Sequence, residues 1–498
     1  MPSSPAVLAF ALGTVTLPLL PLVYLVLRAL PGVQEVFSLG GDLALFLRTL
    51  GLVAAVVPTA LLLALPLAFL AALTDFRPRS LLALVGLLPL ALPPYVLAYA
   101  WLAASGAGGL FPGLGFRLEG FWGAWWTLSV YTAPYLFLAL ENALSRLNPA
   151  QVEAARTLGA GAGKVLFRVI LPYLAPALWA GGAVVALHVI GDFGVVSLMR
   201  YETLSYALYY AYETAYDRDR ASLYALVLVM LALLVLLLDA RFRRPAAPGE
   251  LRGRIRIALG SYRWLAWAYL GLFVAAGLGL PLAVVFLWAG EGFGRIGLPY
   301  GAMLATLLAA MPAAGLAALL ALAIGYLAAR YPRYAYLERV AYLGYAVPPT
   351  ALGLALVFFA LYGVPVLYQT LALLIYGYLV HFLAEALGPI RAAFGAVPRG
   401  LEEAARTLGK PPAVAFVRVV WPLVRSGVFS GGLLVFLGAI KELPLTLMLA
   451  PIGYETLAVA TWTYAAEGFL VEAAPFALLL TALGTAAAFL LYRYGRRG

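Results

Sequence analysis

Glu153-Ala-Ala-Arg-Thr-Leu-Gly159 recurs, residue for residue, as Glu403-Ala-Ala-Arg-Thr-Leu-Gly409. Each residue of the second stretch stands 250 positions after its counterpart. The register persists downstream, where Val169, Leu171 and Pro172 are answered by Val419, Trp421 and Pro422. An ordinary solvated loop has no reason to recur in register inside an apolar chain, so the repeat marks a duplicated element. Local chemistry predicts its shape. Asn148 is placed to cap a helix that opens on Pro149, with Gln151 three residues after the cap. Glu153 lies in the first turns, where a carboxylate suits the helix dipole. Ala154 and Ala155, like Ala404 and Ala405, leave a flat helical face that another protein can approach closely. Gly159 and Gly409 stop the helix. A second short amphipathic segment, ending before Pro172 or Pro422, completes a helix–Gly–helix element between two membrane spans.

The surrounding chain is built for lipid. It has 498 residues, 64% apolar and 11% charged, whereas a soluble domain is about half apolar and about a quarter charged. The net charge of +11 is explained by basic loops on one side of a membrane rather than by nucleic acid. Without cysteine there is no disulfide framework and no thiolate metal centre. His188 and His381, the two histidines, lie in apolar segments and are expected to be packed, interhelical polar groups.

Residues 6–27 carry no charge and read as a first span rather than a signal peptide. Apolar windows then recur at 43–74, 81–104, 121–145, 173–199 and 222–240, and again at 264–288, 302–330, 338–362, 366–390, 423–449 and 472–492. The predicted fold is all-α, with about 12 transmembrane helices in two parallel six-helix repeats. Residues 1–241 form the first half, 242–263 a basic cytoplasmic linker, and 264–498 the second half. With the N-terminus inside, 25 of the 33 basic residues fall on inner segments. That bias sets both repeated loops, and both termini, in the cytoplasm.

The duplication reaches further. Gly181-Gly182 matches Gly431-Gly432, Pro93-Pro94 matches Pro348-Pro349, and Tyr201-Glu202-Thr203-Leu204 matches Tyr454-Glu455-Thr456-Leu457. Leu47-x-Thr49-Leu50 matches Leu304-x-Thr306-Leu307. An even number of spans per repeat gives both halves one orientation, related by a pseudo-twofold axis along the membrane normal. Ala177-x-x-x-Gly181 and Gly427-x-x-x-Gly431 predict close helix packing, and the paired prolines predict broken spans.

Few motifs carry chemistry. Gly159-Ala-Gly-Ala-Gly163-Lys164 imitates a phosphate loop, but Leu158 stands where the first Gly belongs and Val165 where a magnesium-binding hydroxyl is required. No hydrolytic constellation is visible, so this chain is expected to be no enzyme and to bind no cofactor, with its energy source on another polypeptide. Asp192 and Glu442 each lie 20 residues after the loop proline, roughly 30 Å along a helix and near the outer surface. Two roles fit such acids: guiding a cation along a translocation path, or a helix-end hydrogen bond. Whether any metal is bound is left open. Tyr201, Tyr206, Tyr209, Tyr210, Tyr212 and Tyr216 read as an interfacial aromatic belt or docking surface.

The loop spacing resembles the Glu-Ala-Ala loop of ABC importer permeases, with Val replacing Ile in both copies and Trp421 replacing Leu in the second. Gly191-Asp192-Phe193-Gly194-Val195-Val196-Ser197-Leu198 and Lys441-Glu442-Leu443-Pro444-x-Thr446 resemble motifs of fused ferric-iron-type permeases, as does Arg200-Tyr201-Glu202-Thr203 with Asp217-Arg218. The resemblance implies a type I ABC importer permease fold in a bacterial inner membrane. Glu153, Ala154, Ala155, Gly159 and Pro172, with Glu403, Ala404, Ala405, Gly409 and Pro422, become docking loops for two copies of an ATPase subunit. It further implies an extracytoplasmic substrate-binding protein as partner and ferric iron as cargo. Related permeases carry thiamine, phosphonate, polyamines or oxyanions. An ion-coupled secondary transporter is the rival from another class, and the duplicated docking loop has no use there.

Overall fold

The computed structural model describes residues 5–29, 40–77, 79–105, 117–242 and 257–495. Every apolar window is helical. Among the described residues eight helices are long and apolar enough to cross a membrane, or nine if the bent pair Pro332–Ala346 and Pro349–Gly363 is one span. Helices answer the lipid environment because each backbone N–H and C=O is satisfied within its own segment. Five buried hydroxyls follow the same rule. Thr74, Thr132, Thr306, Thr461 and Thr481 each donate to the carbonyl one turn back.

The paired prolines break their spans as expected. Pro93 and Pro94 separate the 3₁₀ turn Leu88–Ala91 from the helix Pro94–Ala104. Pro348 and Pro349 bend the second-half span by 100°. The small-residue pairs are close contacts. A methyl group on Gly427 would lie 2.6 Å from Ala393 Cβ, and one on Gly431 would lie 2.8 Å from the Ala386 carbonyl oxygen. The windows 173–199 and 423–449 each hold a helix that stops early, at Gly191 and at Ile440. A short second helix follows in each, Gly194–Leu198 and Pro444–Leu449.

The chain forms two compact units. One comprises Gly40–Tyr206 and Met230–Trp288; the other comprises Met1–Leu39, Ala207–Val229 and Ala289–Gly498. Chain order and packing therefore differ. In the first unit the second-half span that opens at Arg263 packs on first-half elements: Tyr269 donates to the Leu63 carbonyl, and Gly277 abuts Pro89, leaving 2.8 Å for a methyl group. In the other unit Pro5–Ala29 packs on second-half elements. Tyr376 donates to the Leu17 carbonyl at 2.7 Å, and Tyr24 meets Phe359 edge-on at 5.9 Å. The opening span of each repeat has thus exchanged places.

Of the linker, residues 243–256 lie outside the described residues. Its last residues are held. Ile257 forms a parallel bridge with Thr74, and Asp75 accepts from the Leu259 N–H at 3.1 Å and from Arg263 at 2.9 Å. Those donors, the Leu259 amide first and then Arg263, hold the Asp75 carboxyl below its ordinary value of 3.8.

Two of the repeated motifs meet within each half. Thr49 Oγ1 accepts from the Leu204 N–H at 3.0 Å, and Thr306 Oγ1 accepts from the Leu457 N–H at 2.9 Å. Tyr201 donates to the Arg48 carbonyl and Tyr454 to the Ala305 carbonyl. The Leu-x-Thr-Leu and Tyr-Glu-Thr-Leu repeats are the two sides of one hydrogen-bonded staple, used twice.

Candidate functional site

Both repeated loops fold alike. In the first, Asn148 accepts from the Ala150 N–H at 3.0 Å and the helix runs Pro149–Thr157. Gly159 then adopts φ +77, the left-handed conformation that glycine tolerates best. The Gly159 N–H donates to Arg156 and the Ala160 N–H to Ala155, which closes a Schellman motif. In the second loop the helix runs Arg399–Thr407, Gly409 repeats φ +77, and the Lys410 N–H donates to Ala405.

The segment after each glycine differs from the expected separate helix. It continues without a stop into the following span, as Gly163–Gly191 and Pro412–Ile440. The reason is proline. Pro172 and Pro422 have no N–H for the carbonyl four residues earlier, and their rings crowd it. The chain widens to a π-turn over Leu166–Ile170 and Phe416–Val420, and Leu171 and Trp421 bond five residues back instead.

The two loops present the same face. Glu153, Ala154, Glu403 and Ala404 are exposed, and Ala155 and Ala405 are half-buried. Matched apolar residues protrude among them. Leu158 and Leu408 are 88% and 79% exposed, and Phe167 and Val417 are 67% and 60% exposed. Large apolar side chains are thus held out at equivalent positions on both loops.

Beneath that face the halves differ. Val152 joins Leu147 and Val165 in an apolar cluster that anchors the first loop. Its counterpart Glu402 instead accepts from Tyr326 at 2.7 Å and from Arg330 Nε at 3.2 Å. This polar anchor is not apparent from the repeat, because Glu402 sits just outside the identical stretch.

Asp192 and Glu442 are buried at the far ends of the helices that leave the loops. Asp192 Oδ1 accepts from Val195 and Val196 at 3.0 and 3.2 Å, and Glu442 Oε1 accepts from Leu445 at 3.0 Å. Both carboxylates therefore begin the short helices that follow. Of the two roles read from sequence, the helix-end hydrogen bond is the one the geometry displays. Nearby lies a group that sequence reading overlooked. Glu385, within Leu371–Gly395, abuts Gly438, and Lys441 and Glu442 are the charges that act on it. Its signal was a lone acid in an otherwise apolar run. In the first half the corresponding space holds His188 against Tyr131 and Tyr135, with ring centroids 5.1 and 5.8 Å apart. His381 Nδ1 lies 3.2 Å from the Gly344 carbonyl oxygen. Both histidines are packed interhelical groups. Among the described residues no three His, Asp or Glu side chains converge on a metal-sized space.

Comparison with known proteins agrees with the duplication. The model of the family described as "Binding-protein-dependent transport system inner membrane component" matches residues 64–244 and again 317–497, one match per half. The Fe(3+)-transport system permease protein FbpB 2 of Haemophilus influenzae is 28% identical over 493 residues, covering 95% of both chains. The molybdenum transport system permease protein ModB of the same organism is 30% identical over 189 residues, 36% of this chain and 82% of its own. ModB of Mycobacterium tuberculosis is 35% identical over 189 residues, 35% of this chain and 70% of its own. With a loop that folds alike in both halves, eight or nine candidate spans among the described residues and a family match over both halves, the chain belongs to the inner membrane components of binding-protein-dependent transport systems, as a multi-pass permease carrying two family repeats in one polypeptide.

Proposed function

We propose that this permease imports ferric iron, delivered by an extracytoplasmic binding protein and driven by two ATPase subunits. The observation that carries the mechanism is the pair of in-register loops with matched exposed residues Leu158 and Leu408. One ATPase subunit docks on Glu153, Ala154, Ala155 and Gly159, and a second on Glu403, Ala404, Ala405 and Gly409. Pro172 and Pro422 place a π-turn between each loop and its span, so motion of the loop passes into the helix that ends at Asp192 or Glu442. Both termini and both loops face the cytoplasm, in line with the basic bias of those segments. Residues 1–241 and 264–498 act as the two rocking halves with their opening spans exchanged, joined by 242–263.

Iron is favoured over an oxyanion by coverage. The Fe(3+) permease is matched through 95% of both chains, whereas the molybdenum permeases, themselves covered to 82% and 70%, are shorter proteins that match about a third of this one. Asp192 and Glu442 serve the path as positioning residues that hold the short helices Gly194–Leu198 and Pro444–Leu449. The test is uptake of radiolabelled ferric iron by proteoliposomes holding the permease, its ATPase and the loaded binding protein. ATP-dependent uptake of iron is the expected result. Uptake of molybdate with no iron transport would replace the cargo, and uptake driven by an ion gradient without ATP would overturn the importer mechanism.

A further inference from the structure

Next to the second loop lies a cavity of about 430 Å³. Gly325, Arg330, Glu338, Arg391, Phe394 and Val397 contribute to its wall. Arg391 pairs with Glu338 at 3.1 Å, yet its side chain is 73% exposed and keeps further donors. Arg330 is different. Its side chain is 10% exposed, its Nε is engaged by Glu402, and its Nη2 is buried with no hydrogen-bond partner. That nitrogen is closed to solvent, and a buried guanidinium nitrogen left unpaired favours a shift of the wall that would bring it to an acceptor. Two guanidinium groups on one wall suit a phosphate, whose oxygens take charge-assisted, forked hydrogen bonds.

We propose that this cavity binds the phosphate of an anionic membrane-lipid headgroup through Arg330 and Arg391. A lipid source is indicated by position. Arg330 is the last residue of the span Tyr300–Arg330, and the exposed tyrosines Tyr336, Tyr342 and Tyr345 lie on the helix next along the chain. Tyrosine gathers at membrane–water interfaces, and basic pockets between spanning helices at that level take lipid headgroups. The consequence rests on the docking role proposed above for Arg399–Thr407. The guanidinium that would hold the headgroup also holds Glu402 of that helix. The first half, anchored by Val152, has no such arginine at the corresponding place. Headgroup occupancy would therefore tune one loop and leave the other unchanged.

The full-length chain is purified in detergent and titrated, in separate arms, with phosphatidylglycerol, phosphatidylcholine and inorganic phosphate, with bound species counted by native mass spectrometry. The chain is expected to retain phosphatidylglycerol in preference to phosphatidylcholine. Arg391→Gln and Arg330→Lys are expected to weaken that retention about tenfold, the factor for one lost charge-assisted hydrogen bond. Arg241→Gln, an equal loss of charge at an exposed helix end, should leave it within about twofold. If Arg330→Lys fails to fold, Arg391→Gln carries the test, because its side chain is mostly exposed. Equal retention by all four proteins would overturn the site. Binding of inorganic phosphate with no preference between the two lipids would overturn the lipid source. Neither readout involves ATPase or transport, so failure here and failure of the importer mechanism are distinguishable.

Discussion

Leu158 and Leu408 offer the sharpest test of the docking loops. Each is held outward on a helix stop, 88% and 79% exposed, and touches little of its own chain. Truncation to Ala should leave the folded permease almost unaffected, within about 0.5 kcal/mol. The partner is affected differently. Burying a leucine side chain contributes about 1.5–3 kcal/mol; Ala keeps part of that, so the loss per loop is about 1.4 kcal/mol, or about tenfold in affinity. Each loop takes its own subunit, so a single variant should weaken one of the two sites about tenfold, and the double variant should weaken both sites about tenfold each. The assay is titration of detergent-solubilised permease with its ATPase subunit, read by surface binding, with a thermal melt to confirm the fold. Affinity within about twofold of wild type in the double variant would refute the reasoning. So would a permease that unfolds, since these side chains would then be doing structural work.

Other outcomes follow from the same geometry. Gly431→Val should lower the melting temperature, by about 1–3 kcal/mol of stability, because a methyl group there lies 2.8 Å from a backbone oxygen; an unchanged melt would show that the helix pair can separate at no cost. Thr306→Val should remove the acceptor for the buried Leu457 N–H, at about 1–3 kcal/mol, and Thr306→Ser should restore most of it. Asp192→Asn with Glu442→Gln keeps an acceptor at each short helix, so iron uptake should persist, whereas Ala at both should reduce it; loss of uptake in the Asn/Gln pair, with a normal melt, would mean that the charges themselves guide the cation. The Asp75 contact with Leu259 and Arg263 should be present at neutral pH. A lowered folded pKa adds stability above the unfolded value and loses it as pH falls, so the contact should open below about pH 3.8, as followed by proteolysis after Arg263; protection unchanged through that window would refute it.

The loops were legible because identity in register survives in them, and because caps, glycine stops and proline positions are local chemistry. Span positions were legible from hydropathy alone. The span ends at Gly191 and Ile440 were not, because Val195 and Leu445 are as apolar as the helices before them, and only the side-chain oxygens of Asp192 and Glu442 reset the backbone. The π-turns escaped for a related reason: proline announces a missing bond without saying whether the helix stops or widens. The exchange of opening spans is a long-range choice between two lipid-soluble surfaces, and hydropathy is blind to it. Glu402 and Glu385 each lack a counterpart acid in the first half, so a reading built on duplication passed over them.

That exchange has a consequence in time. Pro5–Ala29 is the first described segment to leave the ribosome, yet Tyr376, whose hydroxyl meets the Leu17 carbonyl, is synthesised some 360 residues later. At about 5–20 residues per second, the interval is on the order of 20–70 s. Throughout it the opening helix sits in the bilayer with its eventual partners still unmade. Its early neighbours must be lipid or the insertion machinery, and it must not settle irreversibly on the first half growing beside it. The opening helix has to stay uncommitted through that interval if the contact with Tyr376 is to form.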